Sequence, residues 1–382
     1  GTLSGGDSWA EREYGRSPHP DGRVRRRIIQ MGAAWMQSSG ASLPIIFPGQ
    51  AEQRAAYRLL SNDGVTMEHI LDSHTEQTVE RCGAEQLVLA IQDTTTLNYA
   101  GLVATQGLDD IGSGNRGLRM HVGITVNAAG RPLGLFMTNA DLRQAEGKDS
   151  RRWVLGLERA GELARACPRT RVINVCDREG DFWQLLAHAD RAGQELLVRT
   201  PSHHEDMGGV QCRVVLPDGG DADLRDHVLR SEPVGLRTIT VPARGGLHKR
   251  KERVAKLTVR CLPVTLLPPG DFSTDPPVSM LAVSACEETP PASVRGRAGR
   301  RGGPLRWILL MLSDDAGPGA ADPDCATAVL DWYALHWKIE HFFSTLKQGT
   351  CIEGRRLDQA DDLRKCFAFD AITVFRIWDL SC

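Results

Sequence analysis

Three carboxylates, far apart in the chain, stand where their chemistry could be combined. The apolar run Leu87–Ile91 is followed by Gln92 and Asp93, and a second run, Val172–Val175, leads to Asp177. Buried strands of this kind would release a carboxylate at their ends. The third, Glu340, lies in YALHWKIEHFFSTLK (Tyr333–Lys347), which has no Gly or Pro and reads as one helix. At roughly 100° per residue, Tyr333, His336, Glu340 and Lys347 fall within about 60° of one another, and Leu335, Ile339, Phe342 and Leu346 take the opposite side. An ordinary amphipathic helix with a solvated face has the same pattern, so the helix gains meaning only from the two upstream aspartates. Carboxylates gathered from two strand ends and a helix suit two-metal phosphoryl transfer. Hard oxygen ligands would hold two Mg²⁺ ions per active site, or Mn²⁺, about 3.5–4 Å apart, to activate the attacking oxygen and stabilise the leaving one. Asp93 would bridge both ions, with Asp177 and Glu340 each completing one shell. Carboxylates that close repel unless cations neutralise them.

The elements that must position these groups follow from hydrophobic periodicity. From Arg23 to Cys82 the pattern is helical, in VRRRIIQMGAAWM, in AEQRAAYRLL and in a segment that Thr66 can cap. Arg23, Arg25, Arg26 and Arg27 near its start make this a candidate DNA-facing module; a helical cap with a solvated basic end is the plainer alternative. The pattern changes at Leu87. A strand there is followed by a hairpin, His121–Asn127 and Leu133–Asn139, with NAAGRP as its turn. A helix (149–166), the strand Arg171–Cys176, a helix (181–192) and the strand 195–200 come next. That order predicts an α/β fold with an RNase H-like core. Short β-branched runs between Gly and Pro clusters mark a β-rich insertion, and the amphipathic segment 362–380 would pack on the core. The expected divisions are 1–82 (helical, DNA-binding), 83–200 (core, first part), 201–304 (β-rich insertion) and 305–382 (core, completing part with the Glu340 helix).

With 382 residues, 41% hydrophobic, the chain can fill a sizeable core, and a formal net charge of -2 argues against a uniformly basic nucleic-acid binder. Local basic groups exist nonetheless, at His248–Arg253 and Arg295–Arg306 as well as Arg23–Arg27. The ten cysteines form no CxxC and no zinc-finger spacing, so a reduced, cytoplasmic protein is the economical expectation. No leader-like h-region precedes Arg23, and the apolar run Trp307–Leu312 is too short to span a bilayer.

IQDTTTLNY, VCDREGDFW and the spacing Tyr333-x2-His336-x3-Glu340-x6-Lys347 resemble the DDE transposases of the bacterial cut-and-paste insertion-sequence family that includes the kanamycin-transposon enzyme. The resemblance extends to AAYRLLSN, LLVRT and PLRWILL. It implies that Asp93, Asp177 and Glu340 are the metal-binding catalytic triad for cutting and joining double-stranded DNA at transposon ends, through a hairpin intermediate. It further implies that Tyr333 and Lys347 hold DNA phosphates, that Arg199 lies near the backbone, and that Trp307 stacks on a flipped base. Each has a plainer alternative: a core tryptophan, a strand-end ion pair for Arg199, a helix N-cap for Asp177.

Two departures stand out. His336 replaces the signature Arg, and a neutral imidazole lacks the permanent charge and the bidentate fork of a guanidinium. The family usually continues into helices that dimerise the protein on paired ends, whereas this sequence stops at Cys382 and begins at Gly1, which leads to the expectation of a truncated copy. A homodimer is therefore implied by the resemblance but doubtful for this chain. The competing expectation is a remnant that binds transposon ends as an inhibitor without cutting them.

Overall fold

Five helices precede the first strand: α1 (Gly5–Tyr14), α2 (Gly22–Gln37), α3 (Leu43–Ile46), α4 (Gln50–Leu60) and α5 (Met67–Cys82). Side-chain caps start α2 and α5, the second at Thr66 as expected. Asp21 caps α2 by accepting the Arg23 N–H at 2.7 Å. Thr66 and His69 form a reciprocal capping box at α5, Thr66 N–H donating to His69 Nδ1 at 3.0 Å. The computed structural model describes residues 5–139, 150–200, 213–216, 218–241, 252–291, 304–313 and 322–381. The basic groups at 248–251 and 295–301 lie outside them. The chain divides into two compact units, Gly1–Val172 with Trp337–Cys382, and Ile173–His336.

In the first unit, β3 (Asn115–Asn127) is central. It pairs antiparallel with β1 (Leu87–Asn98) on one side, and with β2 (Asp109–Gly112) and β4 (Pro132–Asn139) on the other. The predicted hairpin is present, closed by the Asn127–Arg131 turn, while β2 is a short strand that the sequence pattern did not announce. α6 (Arg151–Ala166) packs on β1 and β4. The unit is completed by α10 (Trp337–Ser344), a π-helical turn Thr345–Gly349, and α11 (Ala360–Asp379).

α11 departs from expectation. Its pattern reads as amphipathic, yet nearly every residue from Asp362 to Phe375 is buried, against α2, α5 and β4. Such a helix needs internal partners for its polar groups, and its two buried charges, Lys365 and Asp370, have them. Lys365 Nζ donates to the carbonyls of Leu60 at 2.7 Å and Asn62 at 3.0 Å. Asp370 accepts the Trp35 indole N–H at 2.7 Å and both Arg355 nitrogens, Nη2 at 2.7 Å and Nε at 3.0 Å.

In the second unit β5 (Arg171–Cys176) runs parallel to β6 (Glu195–Arg199) through the crossover helix α7 (Trp183–Ala192). A 3₁₀ turn, Arg178–Gly180, precedes α7. Gly193, at φ +59°, ends α7 in the left-handed conformation that favours glycine. The β-rich stretch comprises β7 (Arg213–Val215), β8 (Asp221–Asp223), β9 (Gly235–Val241), β10 (Arg253–Leu267) and β11 (Val278–Cys286), with a helix α8 (Leu224–Arg230) that the sequence pattern missed. These strands extend the sheet of β5 and β6, because β10 pairs with β11, β11 with β12 (Arg306–Leu312), and β12 with β6. α9 (Pro323–Ala334) closes the unit, capped by Asp322. Among the described residues the cysteines are free thiols, and no helix is long and apolar enough to cross a membrane.

Candidate functional site

Asp93 lies mid-strand, which corrects the expectation of a strand end. β1 does not stop after its apolar run, because Thr94–Thr96 are β-branched residues that favour a strand, and the strand pairs with β3 as far as Asn98. Asp93 faces Val122 across the ladder and is half-buried, and one of its oxygens accepts the Thr94 N–H at 2.6 Å. Its flanking residues are held from the other face. His121, fully buried and opposite Thr94, is hydrogen-bonded through Nδ1 to the Thr94 hydroxyl and through Nε2 to Gln92 Oε1, both at 2.8 Å. A carbonyl oxygen can only accept, so Nε2 carries the proton and Nδ1 takes the hydroxyl hydrogen. His121 thus clips the two neighbours of Asp93, a positioning role that sequence inspection missed because a lone histidine in a strand has no distinguishing pattern.

Burial, helped by the Arg152 charge, pushes His121 down to about 3. The pH consequence has a definite sign. A histidine depressed in the fold contributes fully above its unfolded value, and the contribution falls as pH drops below that value. We expect wild-type protein to lose about 2 kcal/mol more stability than His121→Gln between pH 7 and pH 5, read by denaturant titration at both pH values. Equal losses would show that His121 does not hold the strand in its neutral form.

Glu340 is exposed on α10, and α10 packs against β1, so the helix bearing Glu340 and the strand bearing Asp93 meet within one unit. Lys347 follows in the π-helical turn, half-buried.

The second unit gathers another group. Asp177 immediately follows β5, level with Arg199 in the parallel register that pairs Cys176 with Val198. Its carboxylate accepts the Glu179 N–H at 2.8 Å and caps the 3₁₀ turn, the plainer role anticipated for it. Burial raises the Asp177 carboxyl above its ordinary range; the Glu179 amide and the charges of Arg178 and Arg199 pull in the other direction. Arg199 pairs with Leu309 across β6 and β12. Trp307, two residues before Leu309, therefore shares a sheet face with Arg199. Trp307 is half-buried and stands edge-on to Tyr333, ring centres 5.9 Å apart, and Tyr333 in turn stacks on His336 at 5.7 Å and 15°.

That stack corrects the prediction of one helix across Tyr333–Lys347. α9 ends at Ala334, i→i+3 bonds close the turn at Leu335 and His336, and α10 starts at Trp337. Tyr333 and His336 are 6% and 7% exposed, so they do not join Glu340 and Lys347 on a solvated face. Burial of two stacked rings is a tertiary gain that outweighs the local preference for an uninterrupted helix.

In the amino-terminal module Arg23, Arg25 and Arg26 are exposed at the start of α2 and Arg27 is half-buried, while Ile28, Met31 and Trp35 face inward. α4 adds Arg54, Tyr57 and Arg58, all exposed, on one face. Their spacing in AEQRAAYRLL was legible, though not which side of the helix would be covered.

Carboxylate oxygens are ligands that suit a hard divalent cation, and the raised Asp177 carboxyl is one whose charged form a cation would stabilise. Among the described residues no three His, Cys, Asp or Glu side chains already stand together as a metal-binding group.

Residues 6–65, which span α1 to α4, match the transposase DNA-binding family. The match supports a transposase and DNA as the partner of this module. Among solved structures, the chain is similar to a piggyBac transposase synaptic complex with hairpin DNA, at 10% identity and TM-score 0.42, over 98% of this chain and 72% of that one. A likeness at that level leaves mechanism to the residues themselves.

Proposed function

We propose that this chain is a DNA transposase of the DDE type, which cuts and joins DNA at transposon ends. The observation that carries the proposal is the match of residues 6–65 to the transposase DNA-binding family. The arrangement beyond residue 65 supports it. An antiparallel β1–β3–β4 group is followed by the β5–α7–β6 crossover, the order that suggests an RNase H-like core, and the candidate carboxylates lie on or directly after its strands.

Within this reading Asp93, Asp177 and Glu340 would hold Mg²⁺ or Mn²⁺, which when bound supplies Lewis-acid stabilisation of charge at the phosphoryl oxygens. The chain's own residues have separate tasks. His121 keeps β1 rigid about Asp93, and the Glu179 amide orients Asp177. Arg199 supplies positive charge beside Asp177, where a DNA phosphate would be drawn. Lys347 would act as a point charge toward the backbone. Trp307, in edge-on contact with Tyr333, offers a ring for an unstacked base during hairpin formation. The proposed partners are the element's terminal repeats and its target DNA.

The test is incubation of a labelled duplex carrying the element's own terminal repeat with Mg²⁺, Mn²⁺ or EDTA. Nicking at the repeat boundary in either metal, and none in EDTA, is the expected result. Binding without nicking in both metals would reject the catalytic proposal and leave a DNA-binding protein.

A further inference from the structure

A cavity of about 390 Å³ opens beside α4. Ala41, Leu43, Pro44 and Tyr57 line it from the amino-terminal module, and Gly354 and Arg356 from the segment before α11. The lining is chiefly apolar, with the half-open phenol of Tyr57 as its aromatic wall. Arg356 lines it and is exposed. Arg54 and Arg58, also exposed, lie on the same helix face as the lining residue Tyr57.

Several arginines among the described residues are ion-paired. Arg16, Arg81, Arg131, Arg237 and Arg355 each meet a carboxylate. Among the described residues Arg54, Arg58 and Arg356 meet none. Glu353, three residues before Arg356, accepts the Asn98 N–H at 2.7 Å. Guanidinium groups kept clear of carboxylates are available to an external anion, and their planar forks suit phosphate. The apolar floor and the phenol ask for something more than phosphate: a flat, largely apolar group attached to it. A nucleotide has both parts. In a duplex the base is stacked and paired, so the occupant must be unpaired.

We propose that this cavity seats a single unpaired nucleotide of the DNA bound by the amino-terminal module, its base against Tyr57 and its phosphate among Arg54, Arg58 and Arg356. The assignment rests on DNA being the partner of that module. It is separate from the carboxylates and from Trp307.

The test compares a short blunt duplex with the same duplex bearing a three-nucleotide 3′ tail that contains 2-aminopurine, at low salt, by anisotropy and by fluorescence of the tail. Wild-type protein is expected to bind the tailed duplex about tenfold more tightly and to quench its 2-aminopurine. Tyr57→Ala should lose both effects while keeping its affinity for blunt duplex, Tyr57→Phe should keep both, and Arg356→Gln should reduce the preference. Tyr57 is on a helix surface, where alanine is a good helix former, so the fold is retained. Equal affinity of wild type for both duplexes would overturn the seat and leave the DNA partner standing. A preference that survives in Tyr57→Ala would also overturn it. No binding to either duplex would overturn the seat and the proposed function together.

Discussion

Asp177→Asn is expected to lower metal-dependent cleavage by about 10³-fold or more, the loss that follows from removing several kcal/mol of transition-state charge stabilisation. The same substitution should leave the turn around residue 177 intact. Asparagine is as good an N-cap as aspartate, and its amide oxygen can still accept the Glu179 N–H that Asp177 accepts now. What disappears is the negative charge. Asp93→Asn keeps an acceptor for the Thr94 N–H in the same way, and Glu340→Gln changes an exposed side chain on α10. All three amides therefore separate charge from fold.

The assay must read two things, nicking of the labelled repeat and binding of the same DNA. Loss of nicking with affinity unchanged within about twofold, a margin near the error on a free energy of a few tenths of a kcal/mol, is the outcome that assigns the residue to chemistry. Unchanged nicking by any one variant would remove that residue from the role. Loss of both would point to the DNA-binding surface instead, since paired loss is the behaviour expected of a phosphate contact.

The parts of this molecule that the sequence announces are those where local and tertiary preferences agree. β5 occupies Arg171–Cys176 as predicted, because an apolar run bounded by Pro168 and Asp177 has no better local alternative. The β3–β4 hairpin forms around its Gly-containing turn for the same reason. The misreadings occur where tertiary contacts decide. Nothing in YALHWKIEHFF marks a break, and the break at Leu335–His336 follows from what Tyr333 and His336 stack upon. Asp93 was expected at a strand end because the apolar run stops, but β1 continues for the sake of its pairing with β3, where His121 waits opposite Thr94. The β-rich stretch was legible as strands, while its continuity with β6 and β12 was not, because pairing partners leave no trace in one sequence. For the candidate site, residue types at Asp93, Asp177, Arg199 and Glu340 could be read directly. Their support, through His121 and the Glu179 amide, could not.

Asp370→Ala is expected to cost about 3–5 kcal/mol of stability, the penalty for stranding one member of a buried ion pair. Arg355 and Asp370 are 3% and 0% exposed, joined through two nitrogens, and the Arg355 guanidinium lies 4.5 Å from the Trp35 ring centre while also donating to the Ala41 carbonyl at 3.0 Å. Without Asp370 that buried cation has no carboxylate, and the Trp35 indole loses its acceptor as well. Denaturant unfolding followed by tryptophan fluorescence measures the loss, and a cost below about 1 kcal/mol, the usual value of an exposed pair, would show that water reaches the network. The double variant Arg355→Met with Asp370→Leu should recover much of the deficit, because an apolar pair of similar volume carries no desolvation penalty. The single and double variants then separate charge from packing in their effect on DNA. Trp35 is on α2, whose first turns carry Arg23, Arg25 and Arg26, so α11 fixes the helix from which those arginines project. If that fixing matters to recognition, Asp370→Ala will weaken DNA binding at temperatures where the protein remains folded, and the double variant will restore it. A restored fold with binding still lost would mean that recognition depends on the ion pair itself, through the exact course of the Gly40–Ala41 backbone that Arg355 holds.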